Sequence, residues 1–255
     1  MMGFIAGSGI YEGLIEDEKE LKVKTRYGSV NLVEGFLSGR KAYFIARHGK
    51  DHSIPPHKVN YRANIQALHD LGVRRVIGIN TVGSLKTHVK PGELVIPYQF
   101  MDFTKNRPST FYENEVVHVD MTDPFCPELK KALETVLLDL DYPYHVGATY
   151  ICTEGPRFET MAEIKMYIHL KADVVGMTLV PECILARERE MCYASICTVS
   201  NFAAGISKDK LTVDEVVEVV KENKEKIREI ITKAVKHIPK ERACPCKDAL
   251  KGATL

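Results

Sequence analysis

Short apolar runs alternate with stretches of helical period along nearly the whole chain, and this alternation constrains the fold more than any other feature. Residues 2–6, 41–46, 75–80, 93–96, 145–151, 174–177 and 192–199 read as strands. Helical periodicity predicts helices over about 58–71, 127–139, 160–170, 180–190 and 213–236. Leu71-Gly72-Val73 has the form of a helix C-cap running into a strand, and Thr160-x-x-Glu163 has the spacing of a capping box. Strands interleaved with helices imply an α/β layer architecture. No repeat or low-complexity linker divides the chain, so one domain is expected over 1–255, with 237–255 as a C-terminal tail.

Composition narrows the function classes. Thirty-five Lys and Arg against 34 Asp and Glu give a formal charge of +1 over 255 residues. So balanced a chain has no overall field to hold nucleic acid or an anionic membrane, though a local basic pocket is compatible with it. No apolar run of about 18 residues is present to span a bilayer. The opening Met1-Met2-Gly3-Phe4-Ile5-Ala6 lacks a basic n-region and a long h-region, so export is not expected. Seven cysteines are an odd number and are spread unlike a secreted disulfide scaffold. The expectation is a cytoplasmic globular enzyme.

In α/β sheets ligands tend to sit beyond the carboxyl ends of strands, so residues just after a strand carry most information. Gly7-Ser8-Gly9-Ile10 follows the first strand, where two glycines let backbone N–H groups approach an anion and Ser8 adds a hydroxyl. A dinucleotide fingerprint fails there, because the next glycine, Gly13, falls one position too late. Ala46-Arg47-His48-Gly49 ends the second strand, and Arg47 beside His48 can form a fork for phosphate or carboxylate oxygens. His48 and His52 have the spacing of a helical metal pair, but Gly49 and the prolines behind it favour a loop, so no metal is expected. Asn80-Thr81-Val82-Gly83 is a strand running into a small-residue turn, where Thr81 either completes an anion site or caps the turn. Thr178 follows one strand and precedes a helix, which suits an N-cap and also aims helix-terminal N–H groups at an anion. Glu159, just outside a helix start, is free to face a pocket, whereas Phe158 and Met177 by residue type alone are as well suited to the core.

These segments occur in an order that resembles one family. Gly7-Ser8-Gly9, Arg47-His48-Gly49, KVNYRAN over 58–64, EGPRFE over 154–159 and GMTLVPE over 176–182 resemble the trimeric-type purine nucleoside phosphorylase and 5′-methylthioadenosine phosphorylase family, in register from Gly3 to about Lys236. The resemblance implies a nucleoside phosphorylase α/β fold, a central mixed sheet flanked by helices. It implies phosphorolysis, in which a purine nucleoside and inorganic phosphate give free base and ribose 1-phosphate, with no metal or organic cofactor. By the same resemblance Ser8, Arg47, His48, Thr81 and Thr178 bind phosphate, Met177 lies under the ribose and Phe158 packs on the base.

Two departures bear on the base. The methylthioadenosine branch has a serine where this chain has Glu159, and an Asp-x-Asp where it reads Ser200-Asn201-Phe202-Ala203; the 6-oxopurine branch has a Glu and an Asn at the corresponding positions. The chemistry agrees, since hypoxanthine and guanine offer N1–H to an ionised Glu159 whereas adenine N1 is an acceptor. Asn201 can donate to N7 or O6, stabilising the departing purine. A mismatch of this kind costs on the order of 10⁴-fold. The 5′ end points elsewhere, because Val213 stands where 6-oxopurine phosphorylases carry a histidine that meets the 5′-hydroxyl. An apolar Val213 suits a methylthio group, so 5′-methylthioinosine joins inosine and guanosine as an expected substrate, with 5′-methylthioadenosine phosphorylase as the alternative.

His118 matches a position that in this family reaches a neighbour's nucleoside pocket, and His52 one near the ribose end; both also suit surface histidines. A homotrimer or homohexamer is implied. Cys244-Pro245-Cys246 has too few ligands to define a metal site alone. It resembles C-x-C endings of heat-adapted archaeal relatives, where such cysteines form disulfides. A module that binds purine nucleosides without chemistry is the rival of a different class.

Overall fold

Alternate residues of β1 (Met2–Ala6) enter two different cores: Met2, Phe4 and Ala6 face one, Ile5 the other. A strand covered on both faces needs an unbroken apolar run, which is what the sequence supplies. Gly3 allows a helix to press close, since a Cβ there would lie 3.0 Å from Val73 and 3.1 Å from Leu68. The computed structural model describes residues 1–7, 14–207 and 212–254.

Among the described residues nine strands form one mixed sheet. β2 (Glu16–Thr25), β3 (Gly28–Leu37) and β4 (Arg40–Ala46) are an antiparallel meander, and β4 runs parallel to β1. β1 pairs in parallel with β5 (Arg75–Ser84). At β5 the sheet curls, because β5 also pairs with both β8 (Val174–Gly176) and β9 (Cys192–Phe202). β7 (Tyr144–Thr153) and β6 (Leu94–Phe103) continue from β8 and return to β9, closing a ring of strands. Closure removes edges from this half of the sheet.

Helices cover both faces. α2 (Pro127–Leu140) and α5 (Val213–His237) pack on one core through Leu129, Leu133, Ile230 and Ile231. α1 (Tyr61–Asp70) and α4 (Glu182–Glu188) pack on the other through Ile65, Leu68 and Leu185. α3 (Met161–His169) starts at the expected capping box, with Glu163 N donating to Thr160 Oγ1 at 3.2 Å and Thr160 N to Glu163 Oε2 at 2.7 Å.

Four expectations are corrected. The hairpin of β2 and β3 is absent from the sequence reading, because the charged residues of β2 (Glu18, Lys19, Glu20, Lys22, Lys24), which occupy both of its faces, hide the alternation carried by Leu21 and Val23. The strands expected over 75–80, 93–96 and 192–199 run on to Ser84, Phe103 and Phe202. The helix expected at 58–71 is a 3₁₀ turn (Pro56–Lys58) followed by α1, which Asn60 caps by accepting from Ala63 N at 3.0 Å. The segment beyond α5 is not a loose tail: Ile238, Cys244 and Cys246 are in the core, and Val117 bridges Thr254. Among the described residues no helix is long and apolar enough to cross a membrane.

Candidate active site

The carboxyl ends of β1, β4, β5 and β9 converge on one cavity of about 790 Å³. β8 enters antiparallel to β5 and delivers Gly176, Met177 and Thr178 to the same place. This crossing is tight. A Cβ on Gly176 would stand 2.0 Å from Tyr150 Oη and 3.2 Å from Thr81 O, so only glycine fits. Arg47, His48, Thr81, Thr178, Phe158, Glu159, Met177, Asn201 and Val213 all line this cavity. Ser8 lies outside the described residues, while Gly7 beside it lines the wall. His118 does not line the cavity; it is exposed, and its backbone N–H donates to Ala253 O at 2.8 Å.

Arg47 differs from a fork held open for an oxyanion. It is buried, and it donates from Nε and Nη2 (3.1 Å) to the two carboxylate oxygens of Glu182, from Nη2 to Ile5 O at 3.1 Å and from Nη1 to Ile79 O at 3.2 Å. Burial opposes its charge, but Glu182 outweighs burial and holds its pKa above the ordinary value. The guanidinium therefore presents one remaining Nη1 hydrogen, among the described residues, instead of its bidentate edge. Glu182, which sequence reading quotes only as the last residue of its motif, also accepts from Tyr193 Oη at 2.9 Å.

His48 is neutral. Burial first, then the charge of Arg47, push its pKa down to about 4, against the hydrogen bond to Ile54 O that raises it. Its Nδ1 lies 2.8 Å from that carbonyl, so Nδ1 carries the proton and Nε2 is left as an acceptor. The His52 ring lies against it, centroids 4.5 Å apart, and its pKa is also lowered, by burial and then by Arg47.

Thr178 is not an N-cap. The cap of α4 is Pro181, and the Thr178 hydroxyl instead donates to Asn80 Oδ1 at 2.8 Å, whose Nδ2 donates to Ser195 Oγ at 2.7 Å. Thr81 is not in a turn; it pairs with Thr198 inside the β5–β9 ladder, one residue before a bulge at Val82 and Gly83. Asn201 likewise lies within β9 and not after it.

The acid and the amide are each held by a neighbour. Thr153 donates to Glu159 Oε1 at 2.6 Å, leaving Oε2 for a ligand, while burial raises the pKa of the carboxyl. Ser200 Oγ donates to Asn201 Oδ1 at 2.6 Å, and Asn201 Nδ2 donates to Phe202 O at 2.9 Å. These bonds fix which end of the amide is the donor and leave a second Nδ2 hydrogen.

Arg107 is the residue that sequence reading misses altogether. Its side chain is buried and donates to Thr153 O (3.2 Å), Glu154 O (2.7 Å), Met177 O (2.6 Å) and Val180 O (2.9 Å), with Glu154 Oε2 3.3 Å from Nε. It ties the loop carrying Phe158 and Glu159 to the loop carrying Met177 and Thr178. No spacing signal reveals it, because it stands in a polar loop with no motif of its own. On its far side α5 lines the cavity with Val213, Val216, Val217 and Val220 on one face, and with Lys221, Lys224 and Ile227 beside them.

Comparison with known proteins places this arrangement. The chain is 54% identical to the 6-oxopurine nucleoside phosphorylase of Pyrococcus furiosus, over 99% of this chain and 98% of that protein. It is 50% identical to a probable S-methyl-5′-thioinosine phosphorylase of Methanocaldococcus jannaschii, over 100% of both. A crystal structure of a methylthioadenosine phosphorylase from an antarctic soil metagenomic library superposes with a TM-score of 0.94 at 37% identity, covering 100% of this chain and 92% of that one. Residues 2–236, which contain every strand converging on the cavity, match the Phosphorylase superfamily, and the chain belongs to that family.

Proposed function

We propose that this enzyme cleaves 6-oxopurine nucleosides by phosphorolysis, taking inosine, guanosine and 5′-methylthioinosine to free purine and ribose 1-phosphate or its 5-methylthio derivative. The observation that carries the reading is that Glu159 and Asn201 open onto the same cavity as Arg47, His48, Thr81 and Thr178. The names of the relatives in Pyrococcus furiosus and Methanocaldococcus jannaschii agree with it.

The chemistry follows from charge. As the C1′–N9 bond breaks, its electron pair leaves with the purine and positive charge grows on the ribose. Phosphate stabilises that cation as a neighbouring anion, and one of its oxygens supplies the pair for the new C1′–O bond. Neutral His48, with Nε2 as acceptor, suits a phosphate oxygen that still carries a proton. The spare Asn201 N–H supports N7 or O6 as the purine becomes anionic, an electrostatic preorganisation that needs no movement during the reaction. The free oxygen of Glu159 accepts N1–H, and with adenine it would face an acceptor instead.

The α5 valines offer an apolar contact for a methylthio group and no hydrogen-bond partner for a 5′-hydroxyl. We further propose a homotrimer or a pair of trimers, in which exposed His118 reaches a neighbour's pocket, and a cytoplasmic setting, with which an odd and scattered set of seven cysteines agrees.

One panel tests this: inosine, guanosine, adenosine, 5′-methylthioinosine and 5′-methylthioadenosine, each with and without phosphate. Phosphate-dependent release of hypoxanthine and guanine is expected, with both 6-aminopurine nucleosides slower by about 10²-fold or more. Faster cleavage of adenosine or methylthioadenosine rejects the base assignment, and binding without cleavage rejects the enzyme.

A further inference from the structure

Away from the cavity, four cysteines from three separate segments meet in the interior. Cys126 precedes α2, Cys192 begins β9, and Cys244 and Cys246 flank Pro245 in the C-terminal turn. All four are buried, and their sulfur atoms lie within 4.8 Å of one another. We propose that these four cysteines form a structural zinc site that fastens the C-terminal segment to α2 and β9.

Geometry is the first support. Four sulfurs about 2.3 Å from a tetrahedral zinc ion stand about 3.8 Å apart. The sulfurs here are gathered around that spacing, with Cys192 and Cys244 3.3 Å apart and no pair farther apart than 4.8 Å. Two disulfides join sulfurs in pairs and do not require all four to converge. The C-x-C pair alone offers too few ligands, and the fold adds the other two from residues 52 or more positions earlier.

Charge is the second support. Buried Arg187 reaches Cys246 Sγ from Nη1 at 3.8 Å. A disulfide sulfur makes little use of a guanidinium, whereas zinc held by four thiolates carries a net charge of −2. Its formation releases the four thiol protons to solvent. Backbone bonds fix the ligands in advance: Cys126 N donates to Tyr193 O at 2.8 Å, Cys192 N to Arg74 O at 2.9 Å, and Ala243 N to Glu128 Oε1 at 2.7 Å. A closed set of four soft ligands with no open position favours zinc and a structural role over catalysis. The site is also remote, since Cys192 is six residues before Thr198, the first residue of β9 on the cavity wall, or about 20 Å along the strand.

The test uses the full chain, purified without oxygen and reduced, with Zn²⁺ and Co²⁺ as probes. One equivalent of either metal per chain is expected, with the intense thiolate-to-metal charge transfer and tetrahedral ligand-field bands of a four-thiolate cobalt site. Zinc is expected to raise Tm by several degrees. Cys246→Ser should lose the four-thiolate spectrum and the zinc-dependent rise, whereas Cys183→Ala, which removes a buried thiol outside the cluster, should keep both. If Cys246→Ser fails to fold, the wild-type cobalt spectrum and stoichiometry decide alone. Uptake below about a tenth of an equivalent by the reduced wild type, or uptake unchanged in a folded Cys246→Ser, overturns the proposal. So does anaerobically purified protein in which these cysteines are paired as disulfides and, once reduced, take up no metal.

Discussion

At Glu159, burial raises the carboxyl pKa while the Thr153 hydroxyl bond lowers it, and burial prevails. The group must be ionised to accept N1–H, so inosine cleavage should fall as the pH drops through its raised pKa. Glu159→Gln replaces an acceptor-only group with an amide that can also donate. We expect kcat/KM for inosine to fall by about 10²-fold or more while adenosine loses far less, and equal losses on both would remove the base-reading role. His48 carries a second prediction. An unfolded imidazole titrates near 6.5, and the native one is held down to about 4. Between those values the unfolded chain binds a proton that the native chain does not. Stability from neutral His48 is therefore complete above about pH 6.5 and drains away as the pH falls toward 4. The advantage of wild type over His48→Asn in urea unfolding should shrink by up to about 3 kcal/mol across that window, and a constant difference would mean that His48 is not held neutral. That Glu159 and Asn201 face one cavity is expected from the family resemblance, and hydrogen-bond complementarity to a 6-oxopurine agrees with it. Their holders, Thr153 and Ser200, were not legible, because a hydroxyl bond between neighbours leaves no trace in spacing.

Among the elements, those with unbroken apolar or helical periods could be read, and β1 is found over the expected residues. Strand ends were read short wherever small or polar residues carry the ladder onward. Thr81 and Asn201 thus fall just beyond the strands expected over 75–80 and 192–199, although both are still paired in the sheet. The link between the two specificity loops had no sequence signal, yet Arg107 supplies it from a third loop. Arg107→Lys would strand several buried carbonyls at once. A loss of about 3 kcal/mol is expected, on the order of 10 °C in Tm, with inosine kcat/KM falling further than the stability loss alone explains. An unchanged melting curve would contradict the linking role. The valine stripe of α5 makes a cleaner test of specificity, because Val213 is 63% exposed and its replacement disturbs little packing. Val213→His should favour inosine over methylthioinosine by about tenfold relative to wild type, and an unaltered ratio would sever the 5′ group from this helix.

At the scale of the whole molecule, the curled sheet explains why one chain gathers nearly every group expected at the site. Five strand ends meet at the closure around β5, including one that arrives from the opposite direction. Among the described residues His118 is the exception. It is exposed on the segment that bridges to Thr254, outside the cavity of its own chain, so a role in nucleoside binding requires another copy. A near-neutral chain offers little long-range repulsion to that association. Phe158, Met161 and Val217 remain 38%, 62% and 58% exposed, apolar surface that a neighbour can cover. Sedimentation should therefore find a trimer or a multiple of it at assay concentrations. His118→Ala should raise KM for the nucleoside severalfold while leaving the unfolding curve in place, because the side chain is exposed within its own chain. A fully active monomer would assign the complete site to a single chain and leave His118 an ordinary surface residue.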